Sequence, residues 1–187
     1  MVKMGVRVKL VKNDLKYAEQ VFKLSSDPGV KDVLGIKVDR IEDTIGFINY
    51  IVQQEIECKV VNRIILNEQD EVVGITCLKH LDRGDRICHI GTWIGVPFWG
   101  KGYNEASKIE ILKIAFNELA MDYVFAGAKA SNARSIRAQE KLPYFTIGVE
   151  NEFPKELAII ENETGVNCVL NVVKREDFAK FFTPHII

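Results

Sequence analysis

The sequence predicts an α+β fold in α/β/α layers: a mixed, mostly antiparallel central sheet of about seven strands with helices on both faces. Three observations predict it. Two short polar turns, Asn67-Glu68-Gln69-Asp70 and Leu81-Asp82-Arg83-Gly84-Asp85, separate three β-rich runs, the pattern of an antiparallel meander. A strand–helix–strand pattern follows the meander, and amphipathic helical segments precede it. The chain has 187 residues and is 47% apolar, enough to build a full core, with no break in composition. Residues 1–187 are therefore expected to form a single domain.

Val6 to Val11 alternates apolar and polar residues, as an edge-proximal strand does. Asn13 or Asp14 then caps a helix with Leu15, Ala18, Val21, Phe22 and Leu24 on one face. Ser25-Ser26-Asp27-Pro28-Gly29 ends it. A short helix plus loop is expected over Val30 to Ile41. A helix from about Glu42 to Glu57 turns Ile45, Ile48, Ile51 and Val52 inward. The meander strands are Lys59 to Leu66, Val72 to Leu78 and Arg86 to Gly95. A long helix follows, with Ile109, Leu112, Ala115, Phe116 and Leu119 at helical spacing. Tyr123 to Ala130 reads as a buried strand, and a short helix begins near Asn132 and stops before Pro143. Thr146 to Glu152 and Gly165 to Lys174 are expected to form a hairpin across a long polar connection, Pro154 to Thr164. The tail, Glu176 to Ile187, is expected to hold a helical turn that buries Phe178 and Phe182.

Lys and Arg number 25 against 26 Asp and Glu, and no basic stripe stands out, so no nucleic-acid partner is expected. The apolar runs are too short to span a bilayer, and Met1 to Leu10 lacks a signal-peptide-like apolar core. No membrane association is expected. Cys58, Cys77, Cys88 and Cys168 are scattered through apolar runs without a C-x-x-C pair, the usage of a reducing, cytoplasmic protein. His80 and His185 have no partner at metal-ligand spacing, so no metal is expected.

The stretch Ile90 to Asn104 carries the functional signal. It reads as a buried strand, a glycine-bounded turn and the first turn of a helix. Such a junction aims backbone N–H groups and the positive end of a helix dipole at one point, where phosphates would settle. Gly95-x-x-x-x-Gly100-Lys101 fits most of a Walker-type loop, but Gly102 stands where the magnesium-binding hydroxyl belongs, and the preceding meander is unlike the sheet such a loop needs. A plain structural turn would use Gly100 and Gly102 only to relieve backbone strain. A pyrophosphate cradle would use them to let a ligand approach the amides of Gly100 to Asn104, with Lys101 as an added charge.

The segment Gly91-Thr-Trp-Ile-Gly-Val-Pro-Phe-Trp-Gly-Lys-Gly-Tyr103 resembles the acyl-CoA loop of GNAT N-acetyltransferases, and most closely their RimJ/RimL-like branch. The resemblance continues through Ala115-Phe116, Tyr123 to Ala130 and Asn132-Ala-Arg-Ser135-Ile-Arg-Ala-Gln-Glu-Lys-Leu142, and more loosely through the N-terminal third and Lys174 to Phe178. Asn104 stands where the family usually has a small residue, Thr92 where it often has tyrosine, and Leu142-Pro143-Tyr144 replaces its Leu-Gly-Phe. The resemblance implies acetyl-CoA as cosubstrate. It implies a diphosphate on Gly100, Lys101, Gly102, Tyr103 and Asn104, and a pantetheine arm alongside Thr92, Trp93 and Ile94 like an added strand. It also implies a cofactor contact at Asn132, whose other role is capping the short helix. Ser135 stands where the branch has a serine thought to protonate the leaving thiolate.

The implied reaction is direct attack of a primary amine on the thioester in a ternary complex. A lysine-like amine is only about 0.1% neutral near pH 7.4, whereas an α-amine is roughly a quarter neutral. An α-amine therefore needs little help from a base. The sequence offers no clear one; His89, on the same strand face as Trp93, is the candidate. The alternative function is a non-catalytic acyl-CoA binding or sensing module on the same fold. A protein N-terminus or a small-molecule amine fits as acceptor, and a monomer or homodimer as assembly.

Overall fold

The computed structural model describes residues 5–182. The sheet has seven strands in the order β1-β2-β3-β4-β5-β7-β6. Two compact units share the chain: one holds the residues through Lys79 together with Thr92–Ile111, the other holds His80–Gly91 and the residues from Leu112 onward.

In the first unit, β1 (Lys9–Val11) pairs antiparallel with β2 (Val61–Leu66), and β2 pairs antiparallel with β3 (Val72–Asp82), Ile64 opposite Ile75. Successive residues of β2 face opposite ways. Ile64 and Leu66 pack with Val21 and Leu24 of α1 (Ala18–Ser25), whereas Ile65 packs with Val73, Ile94, Phe98 and Trp99. Both faces of this part of the sheet are therefore covered. Leu15 is 51% exposed rather than in the core. The Asp14 side chain accepts from the Lys16 N–H and starts a 3-10 turn, Leu15–Tyr17, so the helical period begins only at Ala18.

Pro28-Gly29 does more than end α1. The Asp27 side chain accepts the Gly29 N–H at 2.8 Å and Pro28 opens α2 (Pro28–Leu34), where its missing N–H costs nothing. In α3 (Ile41–Ile56) Thr44, Ile48 and Ile51 form the buried stripe; Ile45 is half-buried and Val52 faces out. Gly74 permits the close approach of β3 to β4 (Ile87–Ile94), since a Cβ there would sit 2.1 Å from the Trp93 carbonyl oxygen.

In the second unit β5 (Tyr123–Lys129) is parallel to β4, with Ile87, Cys88 and His89 opposite Tyr123, Val124 and Phe125. Its other edge pairs antiparallel with β7 (Cys168–Lys174) from Tyr123–Lys174 to Lys129–Cys168. The helix after the glycine turn, α4 (Tyr103–Lys113), continues into a π turn, Ile114–Glu118, which keeps Ala115 and Phe116 buried. The last strand before the connection is shorter than the sequence suggests: β6 is Phe145–Thr146, ended by Gly148 at φ +73°, although the Val149 N–H still donates to the Leu170 carbonyl.

The expected polar connection is a helix, α6 (Pro154–Thr164). Leu157 and Ile160 bring it onto β5, where Ile160 lies over Gly127 so closely that a Cβ on Gly127 would come within 2.3 Å of it. The tail forms α7 (Arg175–Phe182), which buries Phe178 against Phe116 but leaves Phe182 42% exposed. The remainder of the expected tail segment, and His185, lie outside the described residues.

Candidate active site

The glycine turn is built in the first unit. A 3-10 turn, Val96–Phe98, follows β4, and the Trp99 indole N–H donates back to the Ile94 carbonyl at 2.6 Å. Gly100 and Gly102 then take φ of +71° and +89°, backbone that a side chain disfavours. A Cβ on Gly100 would meet nothing within 4 Å, so that face of the turn is open. The ladder of α4 opens with the Ala106 N–H donating to the Gly102 carbonyl, which leaves the amides ahead of it without intrahelical acceptors. Open space, free amides and a helix dipole together fit a diphosphate.

The side chains around the turn are anchored. Tyr103 packs edge-on to Phe98, with ring centroids 5.7 Å apart, and Lys101 is exposed with its Nζ 5.6 Å from the Phe98 ring centre. Lys108, one helical turn beyond Asn104, is buried and donates to Asn104 Oδ1. That contact commits the Asn104 oxygen and leaves its Nδ2 hydrogens as the donors. Burial lowers the Lys108 ammonium to a pKa of about 8.

On the strand leading into the turn, Thr92 Oγ1 lies 2.8 Å from Thr76 Oγ1, so its hydroxyl is engaged with β3. Trp93 packs with Val21 and Leu24. Ile94 is buried, and the Trp99 contact occupies its carbonyl, so an added strand would use the other backbone groups of Thr92–Ile94.

In the second unit the β4–β5 register stops at His89–Phe125 while β5 runs on to Lys129. At the end of β5, Asn132 caps α5 (Ala133–Glu140), its Oδ1 accepting the Ser135 N–H at 3.1 Å. This brings two of the sequence-predicted residues together. The bend from Leu142 to Phe145 around Pro143 closes with the Phe145 N–H on the Leu142 carbonyl.

His89 is 1% exposed. Its Nε2 lies 2.5 Å from Glu156 Oε2 of α6, and its ring meets His80 edge-on at 5.3 Å between centroids. His80 in turn contacts Glu163 at 2.7 Å. The sequence reading missed Glu156 and Glu163 because their segment read as a loop; their spacing puts both on one face of a helix. Among the described residues no group of three or more His, Cys, Asp or Glu side chains is arranged to hold a metal ion. Nor is any described helix long and apolar enough to cross a membrane.

A family model for the acetyltransferase (GNAT) domain matches residues 7–144. The chain belongs to the GNAT acetyltransferase family. This GNAT chain transfers an acetyl group from acetyl-CoA to an amine. It is 27% identical over 155 residues, 80% of its length and 85% of the other's, to an uncharacterized N-acetyltransferase, p20, of Bacillus licheniformis. It is 32% identical over 75 residues, 40% of its length and 41% of the other's, to the putative ribosomal N-acetyltransferase YdaF of Bacillus subtilis. Its GNAT fold matches the crystal structure of the microcin C7 self-immunity acetyltransferase MccE in complex with acetyl-CoA and AMP at a TM-score of 0.72, 20% identity, and coverage of 89% of this chain and 91% of that one.

Proposed function

We propose that this acetyltransferase is of RimJ/RimL type and acetylates a primary α-amine, with a protein N-terminus as the leading acceptor. The observation that carries the coenzyme site is the pair of positive-φ glycines ahead of α4, with open space beside Gly100. The diphosphate rests on the amides of Gly100 to Asn104, and Asn104 adds its Nδ2 donors. Lys101, exposed beside Phe98, adds charge at the rim. The thioester arm runs alongside Thr92, Trp93 and Ile94, whose backbone supplies the N–H for the acetyl oxygen.

When bound, acetyl-CoA supplies the activated acyl group. Asn132 keeps a free Nδ2 donor after capping α5 and contacts the cofactor. Ser135 assists departure of the sulfur. His89, backed by Glu156, receives the proton released by the amine. An α-amine acceptor suits a site whose base candidate, His89, is buried, because such an amine is already partly neutral near pH 7.4. The ribosomal N-acetyltransferase name of one relative supports the branch.

The residues from 1 to 187 are read as one catalytic domain, since the family match is continuous over residues 7–144. A cytoplasmic setting fits four cysteines of which none is in a disulfide. The test is a panel of amines given with acetyl-CoA, with acetylated products identified by mass spectrometry. Peptides with free N-termini are expected to react faster than the same peptides N-terminally blocked but carrying lysine. Equal rates, or transfer only to polyamines or aminoglycosides, would overturn the branch and acceptor assignment.

A further inference from the structure

We infer that Gln139 and Asn171 orient the Ser135 hydroxyl so that its hydrogen is available to the sulfur of coenzyme A; the inference rests on the role proposed above for Ser135. The Gly148 N–H donates to Asn171 Oδ1 at 2.9 Å. A backbone N–H can only donate, so this contact fixes which end of the Asn171 amide is the oxygen. Asn171 Nδ2 must then donate, and Gln139 Oε1 accepts it at 2.7 Å. With its oxygen committed, Gln139 presents Nε2 to Ser135 Oγ, 3.5 Å away and the longest link of the chain.

Gln139 follows Ser135 by four residues on α5, so the two side chains lie on the same helix face. Asn171 is 1% and Gln139 4% exposed, and reversing any link would strand a buried polar group. Ser135 Oγ therefore accepts from Gln139 and keeps its own hydrogen to give. Had the chain run the other way, the hydroxyl would spend that hydrogen on an amide oxygen.

The chemistry needs a donor there. As the amine nitrogen bonds to the acetyl carbon, the C–S bond breaks and its electron pair stays on sulfur. The Ser135 O–H hydrogen-bonds to that sulfur as negative charge builds, without losing its proton. The proton released by the amine goes to His89 or solvent. Gln139 and Asn171 touch neither substrate, so they are positioning residues.

The test reads the thiol of bound coenzyme A, which needs no acceptor. Thiolate is followed by ultraviolet absorbance against pH, as a difference from the complex with a desulfo analogue, which cancels the native cysteines. A donor to the charged form lowers a thiol pKa, so Ser135→Ala is expected to raise that of the bound thiol by about one pH unit. Gln139→Met should raise it by a similar amount, and the double substitution should add little more. A wild-type value in Gln139→Met, with a raised value in Ser135→Ala, would overturn the relay and leave the Ser135 role standing. No change in Ser135→Ala would remove the Ser135 role and the relay with it.

Thermal melting checks that each variant is folded. Should Gln139→Met fail that check, Gln139→Glu keeps an acceptor for Asn171 but replaces the Nε2 donor with an acceptor. It should raise the thiol pKa in the wild-type background far more than in Ser135→Ala. An equal rise in both would mean charge alone and would contradict the relay.

Discussion

His89 Nε2 and Glu156 Oε2 stand 2.5 Å apart, with the imidazole 2% and the carboxylate 13% exposed. A carboxylate so placed orients the imidazole, as a base's partner does. The pair also pins α6 to β4 within the second unit, so packing and catalysis must be separated. His89→Gln is expected to lower kcat on an α-amine peptide about tenfold at neutral pH, less than the 10²–10⁴ typical of an obligatory base. The deficit should shrink as pH rises and the amine loses its own proton. A deficit constant from pH 7 to 9 would mean that His89 only packs.

Lys108 gives a prediction for stability. Its pKa in the fold is about 8, against 10.5 for the exposed group, because burial penalises the charge. Between those values the unfolded chain binds more protons than the folded one, so this residue makes stability rise with pH across that window. Lys108→Met should remove that part of the slope and stabilise the protein at pH 7 by up to about 3 kcal/mol. The same change frees Asn104 Oδ1, and acetyl-CoA should bind more weakly. Denaturant titrations of both proteins at pH 7 and pH 10 check the first effect, and calorimetry checks the second.

Asn132 has a capping role and a proposed cofactor role, and one substitution divides them. Asn132→Asp keeps an oxygen for the Ser135 N–H, so the melting temperature should hold. It removes the Nδ2 donor and adds a negative charge facing an anionic cofactor. KM for acetyl-CoA is expected to rise about tenfold, since a hydrogen bond to a charged group is worth roughly 1.5–3 kcal/mol. An unchanged KM would confine Asn132 to the cap.

The strands and the glycine turn were legible because their signals are local. Alternation over Val6 to Val11, of which Lys9–Val11 forms β1, the polar turns flanking Val72 to Leu78, and Gly100 and Gly102 ahead of α4 each act within a few residues. One helix was expected two residues late and another was missed. Pro28, placed in the break after α1, opens α2, and Pro154, placed in a polar connection, opens α6, which Gly165 at φ +69° ends. Leu157 and Ile160, three residues apart, were the signal that Glu156, Glu161 and Glu163 obscured. Nothing local in the sequence marks Lys108 as buried, although its spacing from Asn104 is that of a helix pair. Gln139 and Asn171 were out of reach, because 32 residues separate them and only the packing of α5 beside β7 joins them.

Calorimetry can show whether a diphosphate lies on the amides that open α4. Acetyl-CoA and acetyl-pantetheine, which lacks the diphosphate and the 3′-phosphoadenosine beyond it, are titrated into the wild-type protein and into Gly102→Val. The wild type should bind acetyl-CoA on the order of 100-fold more tightly, the worth of one or two charge-assisted hydrogen bonds. Gly102→Val, strained at φ +89°, should lose most of that preference while keeping its circular dichroism. Equal affinity of the wild type for the two ligands, or an unaltered preference in a folded Gly102→Val, would contradict the account.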